Sequence, residues 1–245
     1  MTVSSEVGAE PSLPPLFHGE AAADPFAAAI ARAREGTDPG LITHAIRPDH
    51  LSAALVLAPE APLEDAMAMV FAAANGFADA FGALAPSEVA CQFDWPGGIR
   101  INGALAGGLR AAAATTDPQT EPDWLVVGLD IRFFEGATAD PGLTPDRTTL
   151  WDEGCGEIEP LRLLESWSRH TLVWIHEWLE AGMPRLHEFW RGRAFAIGQE
   201  VRVALAGEDL RGQFVGIDER GGMILKTGDE TRLLPLGRML EGMPC

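Results

Sequence analysis

The stretch that decides the fold is Cys91-Gln92-Phe93-Asp94-Trp95-Pro96-Gly97-Gly98-Ile99-Arg100-Ile101-Asn102-Gly103-Ala104-Leu105-Ala106-Gly107-Gly108-Leu109. Three short apolar runs are separated by Pro96-Gly97-Gly98 and Asn102-Gly103, both strong turn signals. The stretch therefore predicts strands at about 88–95, 99–102 and 105–112. Alternation puts Gln92 and Asp94 on one face of the first strand, and Cys91, Phe93 and Trp95 on the other. Gly107-Gly108 suits either the close approach of a ligand to the backbone or a tight strand–strand contact.

Downstream, 124–133 predicts a further strand, and Pro160 opens a long helix. Leu161, Leu164, Trp167, Thr171, Trp174 and Trp178 form its stripe, and Gly182 ends it. A shorter helix is expected near 184–193. Upstream, Asp24-Pro25 caps a helix that stops at Gly36. Leu41–Ile46 and Leu51–Leu57 read as strands joined by Arg47-Pro48-Asp49-His50, and Glu64-Asp65 opens a second helix with Met67, Val70, Phe71, Ala74, Phe77 and Phe81 on one face. Residues 1–16 read as an extended lead-in. Beyond about residue 197 the pattern changes to four short strands with Gly/Asp turns, which predicts a small antiparallel barrel.

Composition narrows the function. The 245 residues are 47% hydrophobic, enough for a sizeable core, and carry a net charge of −18. That balance opposes nucleic acid and anionic membrane surfaces, since neutralising phosphates needs a basic patch. No signal peptide and no uninterrupted apolar run of about 20 residues is evident. Three cysteines without C-x-x-C spacing point to free thiols in a reducing compartment, so a cytoplasmic location is expected. The chain contains one lysine, Lys226. Any chemistry that needs a lysine before that position is excluded.

Several stretches, in order, resemble the biotin/lipoate protein ligases, without the N-terminal DNA-binding module of the bifunctional members. Trp95-Pro96 with Leu105-Ala106-Gly107-Gly108-Leu109 is similar to the family's Lys-Trp-Pro-Asn-Asp…Lys-Leu-Ala-Gly-Ile hairpin. Val126–Arg132 is similar to its Ile-Gly-x-Gly-Ile-Asn strand, and Gly182-Met183-Pro184, Ile197–Val203, Gly212 and Gly216-Ile217-Asp218 to its closing helix and C-terminal SH3-like barrel. The resemblance implies an α/β fold of the α+β type: a mixed-sheet ligase-like domain over 17–197 and an SH3-like domain over 198–245. It also implies a ligand pocket formed by Arg47, His50, Gln92, Asp94, Trp95, Pro96, Arg100, Ala106, Gly107, Gly108, Asp130 and Arg132.

The departures fall on the chemistry. Such ligases activate biotin or lipoate with ATP to an acyl-adenylate and pass the acyl group to a carrier lysine. The lysine before Trp-Pro, which stabilises negative charge, corresponds to Asp94. The lysine before Leu-Ala-Gly is Ala104, the Asn-Asp after Trp-Pro is Gly97-Gly98, and the Ser-Thr-Asn signature is Ala22-Ala23-Asp24. The loop that folds over the adenylate is reduced to Arg47-Pro48-Asp49-His50, and a glycine and an asparagine of the later strand are Asp130 and Arg132.

Two readings follow. The first is a binding module of the ligase fold that holds a small molecule or a protein partner such as a carrier protein. The second is a divergent ligase or acyltransferase in which arginines replace the lysines; only then are ATP and biotin or lipoate its cofactor and substrate. Asp94 is either a pocket acid or the partner of a nearby arginine. Asp94 and Asp130 are expected side by side, where two carboxylates raise each other's pKa; an arginine–aspartate network with Arg100 and Arg132 is therefore predicted in the space of the adenylate phosphate, or failing that a bound cationic ligand. Arg47 and His50 form an anion clamp or a solvated turn. Cys91 and Cys155 are acyl acceptors or inert thiols; the acidic neighbours of Cys155 favour the latter. His176, Glu177, Glu180, His187 and Glu188 form no paired His-x-x-x-His metal motif and read as a solvated helix face, with no metal expected.

Overall fold

The computed structural model describes residues 10–135, 146–205 and 208–240. The first nine residues of the expected lead-in, and Cys245, lie outside the described residues. A seven-stranded mixed sheet organises the chain, with the strand order β1-β2-β3-β7-β6-β5-β4. Its strands are β1 (His18–Ala21), β2 (Leu41–Ile46), β3 (His50–Leu57), β4 (Cys91–Asp94), β5 (Gly98–Ile101), β6 (Ala104–Ala113) and β7 (Leu125–Arg132). Of these neighbours β1 and β2 alone run parallel, because helix α1 (Pro25–Arg34) crosses between them. The Asp24 side chain caps α1 by accepting from the Ala27 N–H at 3.2 Å. Strand β1 falls in sequence that carries no apolar alternation, which is why it is not evident from pattern; its residues are mostly exposed at the sheet edge.

One face of the sheet is covered by α3 (Ala68–Leu84), α4 (Pro160–Ala181) and α5 (Met183–Arg191). The expected helix from Glu64 is split into α2 (Leu63–Ala66) and α3, with a break at Met67. Residues 63–84 are long and apolar enough to cross a membrane, yet most of this segment is buried beneath the sheet and α4. A helix that is apolar nearly all round is what a central core position requires. The tryptophans of α4 pack inward: the Trp167 indole N–H donates to Ala73 O at 3.0 Å and that of Trp174 to Asp79 Oδ2 at 2.8 Å. Phe71 stacks on Trp190 with centroids 4.7 Å apart. On the opposite face α1 covers the other end of the sheet with Phe26, Ala29 and Ala33 against Ala54, Val56 and Val126.

The last part of the chain forms β8 (Glu200–Leu205), β9 (Glu208–Ile217), β10 (Met223–Thr227) and β11 (Glu230–Leu234), followed by a 3-10 turn at Leu236–Met239. The order is β11-β10-β9-β8, antiparallel throughout. Among the described residues β8 and β11 are not paired, so the expected barrel is an open four-stranded sheet. Its apolar face is closed by the main body instead: Val203, Phe214, Ile217, Met223, Leu225 and Leu234 belong to the same core as Trp167 and Phe93. The Trp95 indole N–H donates to Gly221 O at 2.8 Å and ties the two sheets together.

Candidate functional site

The register of the larger sheet aligns Asp94, Gly98, Gly108, Asp130 and Ser52 in one line across β4, β5, β6, β7 and β3. Residues in such a line share a face. This is the face on which α1 packs against β2, β3 and β7; among the described residues no helix is seen over its β4–β6 end. Gly98 and Gly108 form its floor, in a cavity of about 600 Å³ that also reaches Pro96, Arg110, Leu205 of the smaller sheet and Met239 of the 3-10 turn. The glycines are required by strand contact as much as by any ligand: a Cβ on Gly107 would stand 2.1 Å from Asp130 O, and one on Gly97 2.6 Å from Leu109 O.

Asp94 closes one end of the line. Arg100 Nε donates to Asp94 Oδ2 at 2.5 Å, Arg100 Nη1 donates to Gly103 O at 2.7 Å, and the guanidinium lies 4.5 Å from the centroid of the Phe195 ring. The side chains of Asp94 and Arg100 are 28% and 18% exposed. Burial raises the Asp94 carboxyl above its ordinary range, and the charge and hydrogen bond of Arg100 only partly offset that effect. Gln92 stands opposite Arg100 in the register.

Asp130 closes the other end. Its Oδ2 accepts from Ser52 Oγ at 2.7 Å and lies 2.9 Å from His50 Nε2. Burial works against the carboxylate, but the hydrogen bonds of His50 and Ser52, with the charges of His50 and Arg110, hold Asp130 below the usual carboxylate range. Arg132 does not pair with Asp130. It donates to the main-chain oxygens of Leu105 and Ala106, and burial followed by the charge of Arg147 lowers its pKa.

Several expectations are thereby corrected. Asp94 and Asp130 are not side by side: two glycine-bearing strands separate them, about 14 Å at about 4.8 Å per strand. They do not raise each other, and their pKa values move in opposite directions. The arginine–aspartate pairing exists at Asp94 and is replaced at Asp130 by a histidine–serine pairing. Trp95 and Ala106 lie in the core, 7% and 0% exposed, rather than over the floor. His50 faces Asp130 and makes no clamp with Arg47, which is exposed and borders a different cavity. Ser52 was not among the expected pocket residues, although it follows His50 by two residues on one strand and so shares its face.

Burial pushes the Cys91 thiol up to about 12. Burial, then Glu153 and Glu88, raises Cys155. Neither is arranged as a thiolate nucleophile. His176 lies 3.2 Å from Glu180 on the exposed face of α4, and His187 Nε2 is 3.5 Å from Ile217 O.

Comparison with known proteins adds to this geometry. A model of the Biotin/lipoate A/B protein ligase family matches residues 13–192, and a model of a domain of unknown function (DUF4444) matches residues 203–242. The chain is similar to a solved biotin protein ligase-like protein of unknown function from Silicibacter sp. TM1040, with 48% identity, a TM-score of 0.87, and coverage of 95% of this chain and 100% of that one. The Aquifex aeolicus biotin protein ligase shares the fold at 16% identity and a TM-score of 0.68, over 89% of this chain and 92% of that one. A biotin--[acetyl-CoA-carboxylase] ligase of Paracoccus denitrificans is 23% identical over 189 residues, 77% of this chain and 78% of its own length.

Proposed function

Because the chain belongs to the biotin/lipoate A/B protein ligase family, we propose that it is a member without acyl-adenylate chemistry, acting in the cytoplasm as a small-molecule or protein binding module. The supporting observation is the Asp94–Arg100 pair at 2.5 Å. The resemblance assigns the Asp94 position to a lysine that stabilises an anionic intermediate. A carboxylate there reverses the sign, and the nearest arginine is already engaged by that carboxylate, by Gly103 O and by Phe195. Arg132 is held by main-chain carbonyls, and Arg110, which borders the glycine floor, lies over the Phe26 ring with its charge set against Asp24 and Asp130. Lys226 is exposed on β10 of the smaller sheet.

One observation favours the alternative of a divergent ligase. Burial raises Asp94, so the carboxylate form that would repel an anionic intermediate is disfavoured there. Both readings are tested by incubating the pure protein with ATP and biotin, lipoate or octanoate, and measuring pyrophosphate. No acyl-dependent pyrophosphate is expected. Release at the rate of an active ligase assayed alongside would overturn the proposal and favour the arginine-based enzyme.

The division into a ligase-like part over 17–197 and an SH3-like part over 198–245 belongs to the same proposal. Both parts contribute side chains to one apolar core.

A further inference from the structure

A second, larger cavity lies away from the glycine floor. It has a volume of about 790 Å³ and opens between the N-terminal segment, the ends of β1 and β2, and the first turn of α4. The N-terminal segment is fastened there by the Ser12 N–H, which donates to Glu165 Oε1 of α4 at 2.9 Å.

Three polar side chains border this cavity: Glu10, His44 and Arg47. His44 is 8% exposed. Among the described residues its ring has no hydrogen-bond partner, although burial favours the neutral imidazole, with one donor and one acceptor to satisfy. The residue lines the cavity, with Nε2 on the side of Gly19, another lining residue. Glu10 and Arg47 are both exposed, and neither has an ion-pair partner among the described residues, including each other. The other side chains of the lining are apolar, mainly those of Ala21, Ala22, Ala23, Ile46 and Leu161. The amino end of α4 has no side-chain cap, which adds positive potential near Leu161.

A carboxylic acid alone would meet Arg47 but also the repulsion of Glu10. An amine alone would meet the reverse. A molecule carrying both signs engages both, with the imidazole on the same lining. The geometry points to this cavity as a binding site for a small zwitterion, an amino acid with an aliphatic side chain: its carboxylate against Arg47, its ammonium against Glu10, and its side chain over the alanines. This goes beyond the binding reading above by assigning a ligand class to a separate cavity, and its test contains no ATP. Pyrophosphate release in the other assay would therefore refute the loss of adenylation without altering this result.

The experiment is calorimetric titration of the full chain with L-leucine, with 4-methylpentanoate, which lacks the ammonium, and with isoamylamine, which lacks the carboxylate. Leucine is expected to bind saturably, with each single-charge analogue weaker by about tenfold or more. E10Q and R47Q, at exposed positions, are each expected to weaken leucine by about tenfold, while E10Q leaves 4-methylpentanoate unweakened. The absence of leucine binding up to about 10 mM would overturn the inference. So would 4-methylpentanoate binding as tightly as leucine, or leucine binding unaffected by E10Q and R47Q. Melting curves of both variants accompany the titrations, and a variant that loses more than a few degrees is replaced by E10A or R47M.

Discussion

Replacing Arg100 with alanine is the most direct test of how the Asp94 end of the site is held together. Arg100 makes three contacts: Asp94 Oδ2 at 2.5 Å, Gly103 O at 2.7 Å, and the Phe195 ring at 4.5 Å. The charged hydrogen bond contributes about 1.5–3 kcal/mol, the bond to the carbonyl about 1, and the ring contact about 0.5. Removing the arginine also leaves the carboxylate of Asp94 unpaired at 28% exposure, which for fully buried pairs costs about 3–5 kcal/mol in total. Discounting for partial exposure gives about 3 kcal/mol for R100A. D94A leaves Arg100 with two of its three contacts and no buried anion, so about 1–2 kcal/mol is expected. The expected order, R100A worse than D94A, is measured by urea unfolding followed through tryptophan fluorescence. In the double variant the cost of R100A should shrink, since the stranded charge is gone. The pH dependence has a defined sign. The folded-state pKa of Asp94 lies above its ordinary 3.8, so its contribution is fully present below 3.8 and is lost as pH rises through the raised value. R100A removes both influences that lower this group and widens the window upwards. The deficit of R100A should therefore be smaller at about pH 5 than at neutral pH. An R100A variant no less stable than D94A, or a deficit independent of pH, would refute the argument that Asp94 is a buried charge held by this arginine.

Gly107→Ala would drive a Cβ to 2.1 Å from Asp130 O and 2.8 Å from Ile131 Cδ1, and should cost about 2–4 kcal/mol in thermal or urea unfolding, whereas Gly82→Ala, in open space on α3, should stabilise by about 0.5–1. Trp95→Phe removes the 2.8 Å bond to Gly221 O; about 1–2 kcal/mol of stability should be lost, with faster amide exchange in β9 and β10. Asp130 is the opposite pH case to Asp94. Its pKa is held below 3.8, so its contribution is present above that value and is lost as pH falls through the lowered one. D130N should accordingly flatten the acid limb of the stability profile, and an unchanged limb would argue against the His50–Ser52–Asp130 pairing.

Elements with a strong local cause are legible in the chain before it folds. Helix α1 is announced by Asp24-Pro25, β5 and β6 by the turns at 96–98 and 102–103, and α4 by Pro160, its tryptophan stripe and Gly182, because caps, turns and periodicity are local chemistry. Alternation also puts Asp130 and Arg132 on one face of their strand, as it does Gln92 and Asp94, and the lone Lys226 excludes lysine chemistry without any structure. Strand order and competition for partners, by contrast, exist only in the folded molecule. Two glycine strands lie between Asp94 and Asp130, a separation no local pattern encodes. Arg132 satisfies buried carbonyls instead of a carboxylate, and Asp130 takes His50 and Ser52 from β3, 78 residues earlier in the case of Ser52. The last sheet, open among the described residues, buries its apolar face in the main core, a partner far away in sequence. The unpartnered His44 was invisible in sequence for the same reason: a histidine on an apolar strand reads as core, and only the packing of the N-terminal segment and α4 around it leaves a cavity at its ring.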